Sequence, residues 1–388
     1  MTRYTETEER QTLRREVARL AGKYGRAWFT ERARAGEKTT DLWLEIARQG
    51  YLGINIPEQY GGGGGGIGDT AAVCEELAAQ GCPLLMMVVS PAICGSIITR
   101  YGTEEQRRRW LPGIADGTGT VAFAITEPDA GTNTHDIATT ARRTDDGWVL
   151  NGRKIYISGV DEAEHVLVVA RTEDARTGRL RPALFVVPTA VEGLEYRAIP
   201  MEIVSPEQQF QVFLDDISLP ADALVGDPDA DDGLAPLFAG LNPERIMAAS
   251  FSTGLARFAL DRAAAYARER AVFGAPIGTH QAVSHPLAQS KIEVELARLM
   301  TQKAAALYDA GDDLGAAEAA NMAKYAAAEA ACDAVDRAVQ AHGGNGITQE
   351  YGMAGLLVAT RAGRIAPVTR EMILNFVAMH SLGLPKSY

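Results

Sequence analysis

Early in the chain, apolar residues recur at spacings of three and four: Leu13, Val17, Leu20 and Ala21, then Trp43, Ile46 and Ala47, with charged residues between. That period predicts helices with one buried face, and no two-residue alternation is sustained before about residue 118. Pro57-Glu58-Gln59-Tyr60 and the glycines at 61–66 interrupt it. Glycine has the most backbone entropy to lose, so a flexible loop is expected there, with Asp69 capping the next helix through Glu75, Glu76 and Leu77. The uncharged run 77–99 is long enough to cross a bilayer. Gln80-Gly81, Pro83, Ser90-Pro91 and Gly95-Ser96 divide it, which predicts buried helix broken by turns.

Between 119 and 226 the period changes to two. Runs at 121–125, 154–158, 166–170, 183–187 and 210–214 read as strands, separated by turn residues that include Asp145-Asp146-Gly147 and Asn151-Gly152. An acidic, turn-rich linker at 227–233 closes this β domain. Helical spacing then returns. In 241–281 the residues Ile246, Met247, Phe251, Leu255, Phe258 and Ala259 form one stripe. Asn242 and Pro243 suit a first turn, and the helix is expected to end near Phe273-Gly274 before Pro276. Segments 281–310 and 314–341 are long enough for several turns and joined closely enough to pack antiparallel. The turn His342-Gly343-Gly344-Asn345-Gly346 offers exposed NH groups to a phosphate. The chain thus reads as a multi-domain α+β protein: helical over 1–118, β over 119–226 and helical over 234–388.

A length of 388 residues with 46% hydrophobic content supports more than one core. The net charge of −12, from 38 basic and 50 acidic side chains, argues against a nucleic-acid or anionic-membrane surface and favours small molecules or proteins as partners. Cys74, Cys82, Cys94 and Cys332 lie in apolar or Ala-rich surroundings without metal-ligand spacing, so buried thiols and no metal site are expected. The charged N-terminus lacks the apolar core of a signal peptide, and a cytoplasmic location is expected.

Four segments, in order, resemble the acyl-CoA dehydrogenase family. Phe123 to Thr132 is similar to its TEPxAGS segment, and Lys154-Ile155-Tyr156-Ile157-Ser158 to its K-x-W-I-T segment, with Tyr for Trp and Ser for Thr. Arg270-Ala271-Val272-Phe273-Gly274 with His280-Gln281 resembles R-x-x-FG…Q, and 340–346 resembles Q-x-x-GGNG. The resemblance implies a β-barrel-like or sandwich middle domain, a C-terminal four-helix bundle, FAD as cofactor, and dehydrogenation of an acyl-CoA in fatty acid or branched-chain acyl metabolism. It places FAD against Phe123, Ile125, Thr126, Gly131, Thr132, Tyr156, Ile157 and Ser158. Thr126 and Ser158 suit the ring edge, and Tyr156 its far face. Arg270, Val272, Phe273, His280 and Gln281, with Gln340, Gly343 and Gly344, take the pyrophosphate and adenine, Arg270 carrying the fixed charge. A neighbouring subunit completes the site in the family, which implies a homo-oligomer, by resemblance a tetramer. An electron-transfer flavoprotein is the implied electron acceptor.

Removing an α-proton needs a base. The C-terminal Y-E-G positions of many family members become Ala366, Pro367 and Val368, so that glutamate is missing. Glu244-Arg245 falls on the alternative site of the isovaleryl-CoA and long-chain type members, which assigns Glu244 as base; burial beside flavin and thioester is expected to raise its pKa. A competing reading makes Glu244 only a favourable acid in a helix's first turn. Arg245 is expected to orient the base or hold substrate. Asn242 stands where relatives touch the CoA chain, and Thr132 keeps a hydroxyl for the pantetheine end. Thr369 and Glu371 stand where T-S-Q contacts FAD, Glu replacing Gln. Pro367 lacks the amide that would hold the thioester oxygen. That loss keeps open a flavoenzyme of altered chemistry, such as a desaturase of carrier-bound acyl groups, an enoyl thioester reductase or a desulfinase-like enzyme. A silent flavoprotein that binds acyl-CoA is the rival of another class. Met86, Met87 and Phe251 suggest a short or branched acyl group.

Overall fold

The computed structural model describes residues 6–173, 178–227 and 235–386. The N-terminal part contains α1 (Glu8–Ala21), α2 (Gly25–Ala35), α3 (Thr40–Arg48), α4 (Ile67–Ala79), α5 (Leu85–Met87), α6 (Ser96–Tyr101) and α7 (Glu104–Asp116). α5 and α6 are the two ends of one helical run, joined by a π-helical stretch, Val88–Gly95. The breaks expected at Ser90-Pro91 and Gly95-Ser96 do not occur. Pro91 cannot donate to the ladder, and the wider turn absorbs that loss. Asn55 Nδ2 donates to the Pro91 carbonyl at 3.0 Å.

The glycine run is packed rather than loose. Gly63 N donates to Gly53 O at 2.9 Å, Gly64 N to Ile56 O at 2.9 Å and Gly65 N to Ile54 O at 2.8 Å. A Cβ at Gly62 would lie 2.0 Å from Ile56 O, and one at Gly66 2.3 Å from Asp309 Oδ2. Close backbone approach, not mobility, is what these glycines provide. Asp309 accepts from Ile67 N at 2.7 Å and Gly68 N at 3.0 Å, capping α4 from the C-terminal bundle. Asp69 sits inside the first turn of α4 and accepts from Gly66 N at 3.1 Å, so the helix starts before it.

The β domain contains β1 (Val121–Ala124), β2 (Thr140–Arg143), β3 (Gly147–Ser158), β4 (His165–Glu173), β5 (Leu180–Pro188), β6 (Leu194–Ile199) and β7 (Gln209–Pro220). They form one sheet in the order β1-β4-β2-β3-β7-β6, with β5 antiparallel on β4. Its core includes Trp148, Val166, Val168, Phe185, Phe210 and Val212. Asn151-Gly152 is not a turn: it lies inside β3, where the register against β7 shifts. The Asn151 amide bridges Asp216 there, Nδ2 donating to Asp216 Oδ1 and Oδ1 accepting from Asp216 N, both at 2.9 Å. A side chain thus takes up the bonds that the bulge frees.

The C-terminal part holds α8 (Ala235–Glu269), the short pair β8 (Ala271–Val272) and β9 (Ala275–Pro276), α9 (Gln281–Asp309), α10 (Asp313–His342), α11 (Gly355–Gly363) and α12 (Arg370–Phe376). Of the expected linker, 228–233 lies outside the described residues. Two boundaries of α8 differ from the sequence reading. Pro243 stands inside the helix, not in its first turn. The Ala239 carbonyl, deprived of a partner by that proline, accepts from Tyr308 Oη at 2.9 Å. Phe273 and Gly274, with φ of 53° and 82°, form the two-residue turn between β8 and β9 instead of a helix cap. Among the described residues no helix is long and apolar enough to cross a membrane.

Candidate active site

Glu244 is half-buried on α8, and no hydrogen bond to its carboxylate is found among the described residues. Desolvation lifts its carboxyl to about 7, against the pull of Arg245 and of Lys324 on α10. It also holds the thiol of Cys94, on the π-helical stretch, well above the usual range, adding to the effect of that thiol's burial. Because Pro243 is interior, Glu244 is no first-turn acid, and helix-end electrostatics do not account for it. Arg245 donates to Leu241 O at 3.0 Å and to Asn242 Oδ1 at 3.4 Å, while its buried Nε has no partner. Asn242 is buried, and its Nδ2 donates to Asp313 O at 3.4 Å.

Lys324 escaped the sequence reading. It is 2% exposed, its Nζ donates to the carbonyl of Val368, and desolvation lowers it to about 8. The lysine therefore pins the peptide that follows Pro367 while lending positive charge to Glu244. Its only sequence signal is its place on an alanine face with Ala320, Ala323 and Ala327, where a solvated lysine does not belong.

The π-helical stretch that carries Cys94 is tied to the β domain. Ser90 Oγ accepts from Val121 N at 3.1 Å, and Cys94 Sγ donates to Ala122 O at 3.7 Å, tying the π-helical stretch to β1 and so to Thr126 beyond it. A buried ion pair then locks two of the sequence segments together. Lys154 Nζ donates to Glu127 Oε1 at 2.9 Å and to Ile125 O at 3.0 Å. Glu127 also accepts from Ala138 N at 2.5 Å and Thr139 N at 3.0 Å. Desolvation takes Lys154 down to about 8, although Glu127 opposes that fall. The sequence placed both residues inside motifs without giving them this clamping task.

Ile155 N donates to Thr126 O at 2.9 Å, which sets Thr126 beside Tyr156. Tyr156 is 56% exposed with φ 58°, at a second break in the β3–β7 register. A bulky residue in that region is strained, and the break turns its ring out of the sheet. Gln209 Nε2 donates to Ser158 Oγ at 2.9 Å. Phe123 and Ile157 are buried, Ile125 is half-buried, and Gly131 and Thr132 are exposed.

The remaining predicted residues lie elsewhere. From 244 to 269, α8 spans about 37 Å at roughly 1.5 Å per residue. Arg270, Val272, Phe273, His280 and Gln281 are exposed at that far end, Phe273 by 95%. Gln340, Gly343 and Gly344 share this end: Tyr266 stacks on His342 with ring centroids 4.5 Å apart and accepts from Asn345 Nδ2 at 3.1 Å. Gly343 takes φ 58°, and a Cβ there or at Gly344 would meet nothing within 4 Å. Thr369 Oγ1 caps α12 by accepting from Met372 N at 3.3 Å, and Glu371 is exposed beside Arg370 Nε at 3.4 Å.

Three family models match: acyl-CoA dehydrogenase N-terminal domain over 7–118, middle domain over 122–212 and C-terminal domain over 231–382. The chain is 61% identical over 387 residues to the acyl-CoA dehydrogenase FadE12 of Mycobacterium tuberculosis, covering 100% of this chain and 99% of that one. The structure of butyryl-CoA dehydrogenase from Megasphaera elsdenii superposes with a TM-score of 0.90 at 28% identity, over 97% of this chain and 99% of that one. That of a glutaryl-CoA dehydrogenase from Mycobacterium smegmatis in complex with FADH2 superposes with a TM-score of 0.90 at 26% identity, over 99% and 96%.

Proposed function

The chain belongs to the acyl-CoA dehydrogenase family, and on that premise we propose that it oxidises an acyl-CoA to the trans-2-enoyl-CoA with Glu244 as the base. The observation that carries this reading is the Glu244 carboxylate, half-buried, free of hydrogen bonds among the described residues and raised to about 7. A base poised there is ionised in a useful fraction at neutral pH yet basic enough to take an α-proton onto a carboxylate oxygen. Arg245 and Lys324 keep the carboxylate from being neutralised outright. Lys324 also holds the chain at Val368, beside the position whose amide Pro367 has removed.

The residues present fit FAD. Tyr156 and Phe273 are exposed aromatics, Tyr156 held at positive φ inside a strand, and the open space around Gly343 and Gly344 leaves their backbone accessible. Bound FAD supplies the hydride acceptor for the β-carbon. Thr126 and Ser158 present hydroxyls for the ring edge, and Tyr156 a face. Arg270 and Gln281 with Gln340, Gly343 and Gly344 would hold pyrophosphate and adenine, and Thr369 and Glu371 lie at a further contact. Ring and pyrophosphate of one FAD are joined by a ribityl chain on the order of 10 Å long at about 1.5 Å per bond. The span of α8 is several times that, which supports completion of each site by a neighbouring subunit in a homotetramer. Thr132, Asn242 and Arg245 are the proposed contacts to the CoA chain. Electrons would leave to an electron-transfer flavoprotein, and three buried free thiols support a cytoplasmic setting.

Met86 and Met87 are buried, and a Cβ at Gly159 would lie 2.5 Å from Met86 Sδ, so the Met86 side chain packs directly on Gly159. That close packing supports a short or branched acyl group. The test is anaerobic titration of the yellow protein with short, branched and long acyl-CoAs, following flavin absorbance, beside Glu244→Gln. Wild type should bleach with short or branched substrates, and the variant should react about 100-fold to 10,000-fold more slowly. Equal bleaching by both proteins removes Glu244 as base, and equal turnover of long chains removes the chain-length reading.

A further inference from the structure

Away from Glu244, a cavity of about 70 Å³ lies between α2 and the segment that leads into α11. Arg26 lines it and is 5% exposed. Its guanidinium has neither a hydrogen bond nor an acidic partner among the described residues, and Nε is a buried donor left unmet. Its one ring contact is Phe29, at 5.5 Å from the centroid. Burial lowers it only to about 10, so it stays charged at neutral pH. A buried cation without a counter-charge is costly, and proteins normally pair it.

Three further features converge on the same space. Arg34, eight positions along α2 from Arg26, lines the cavity, and its like charge lowers the pKa of Arg26 further. The first turn of α11 begins at Gly355 without a side-chain cap, Leu356 N and Leu357 N donating to the carbonyls of Met353 and Ala354, and a Cβ on Gly355 would stand 3.7 Å from Arg26 Nη2. Thr30 lines the cavity with its hydroxyl donating to the Arg26 and Ala27 carbonyls, both at 3.0 Å, and no acidic residue lines the cavity. In a chain of net charge −12, a cavity lined by two arginines and no carboxylate, beside the N-terminus of a helix, is a site of the opposite sign.

We propose that this cavity is a binding site for a phosphate group, gripped by Arg26 and Arg34 and seated on the N-terminus of α11. The group comes either as free inorganic phosphate or as the phosphate of a nucleotide. Bound there, it joins α2 to the 347–355 segment, directly after the Gly343–Ile347 turn.

The test is thermal unfolding of the FAD-loaded protein at constant ionic strength with increasing inorganic phosphate, chloride serving as the matched control. Adenosine 3′,5′-bisphosphate forms a second series. Phosphate should raise the melting temperature saturably where chloride does not. Arg26→Gln should weaken that response about tenfold or more, the loss of one charged hydrogen-bonding group. Arg34→Gln should weaken it less; its exposed position leaves folding intact, so it decides the matter should Arg26→Gln fail to fold. A bisphosphate response at least tenfold tighter than that of phosphate assigns the site to a nucleotide, and equal responses assign it to free phosphate. The proposal is overturned if phosphate acts no more strongly than chloride, as it would were a neighbouring subunit's carboxylate to fill the cavity. It is equally overturned if neither arginine variant alters the response.

Discussion

If Glu244 is the base proposed above, it carries a conflict between stability and use, and the conflict can be measured. Its carboxyl is raised from 4.5 to about 7 in the folded protein. The folded state then binds that proton more tightly than the unfolded chain, so this group's contribution to stability falls as pH rises from 4.5 through 7 and stays lost above. Glu244→Gln removes the penalty. The variant should match wild type near pH 4.5 and be more stable at pH 8 by up to about 3 kcal/mol, read as a higher melting temperature. An identical pH dependence in both proteins would show that the carboxylate is solvated in the fold. Lys324 offers a second test at this scale. Lys324→Met takes away a cation that favours ionised Glu244, so the rise of kcat/KM with pH should move to higher pH. A fall in kcat without any shift would leave the lysine as only a brace for Val368. Glu244 stood out in the sequence because the other family position for a base holds Pro367, and its proposed role as base is what these variants test. Lys324 was not, because burial of a lysine in an alanine-rich helix depends on what packs against it.

Proline tolerance in α8 is a property of two helices. Tyr308 on α9 supplies the donor that Pro243 withholds from Ala239. Tyr308→Phe should therefore cost about 1–3 kcal/mol, the penalty of a buried carbonyl left bare. In a Pro243→Ala background the backbone NH returns, so the same substitution should cost much less; additive losses in a denaturant-unfolding cycle would refute the pairing. The Glu127–Lys154 clamp joins the segments at Thr126 and Tyr156 in the same manner. Lys154→Met strands a buried carboxylate, and a loss of about 3–5 kcal/mol together with FAD-depleted protein is expected. Full FAD content at unchanged stability would show the clamp to be dispensable. These partnerships also mark the limit of reading elements from sequence. The proline was legible as a helix start only because its remedy, a tyrosine sixty-five positions on, is invisible to periodicity. Phe273-Gly274 looked like a helix end because the glycine suits both a cap and a hairpin turn. Strands β2 and β6 lay outside the runs read as strands: Thr140–Arg143 is short and charged, and Leu194–Ile199 is an exposed edge whose burial does not follow its apolar–charged alternation.

The order of α, β and α parts was legible from two changes of period, but periodicity cannot distinguish a core face from a face meant for another copy. On α9, Ile292 and Leu296 are each 62% exposed and Leu299 50%, at the same spacings of four and three that bury Val294, Ala297 and Thr301. Such a stripe on a protein of net charge −12 asks for cover. The far end of α8 makes the same demand, because Phe273 stands 95% exposed in the turn beyond Glu269, itself about 37 Å along the helix from Glu244. If neighbouring subunits cover the stripe and complete each cofactor site, assembly and FAD retention must fail together. Leu296→Glu places a charge in the middle of the stripe without touching the chain's own core, so the subunit should still fold. Light scattering during size exclusion should show a smaller species than wild type, and its ratio of flavin to protein absorbance should drop in proportion to the dissociated fraction. Adding wild-type-level FAD to the dissociated form should not restore the yellow complex, if Arg270 and Gln281 serve the site of a neighbouring subunit as proposed. A dissociated Leu296→Glu subunit that keeps its flavin would mean that one chain builds the whole site, and the subunit-sharing reading would fall while Glu244 as base would stand.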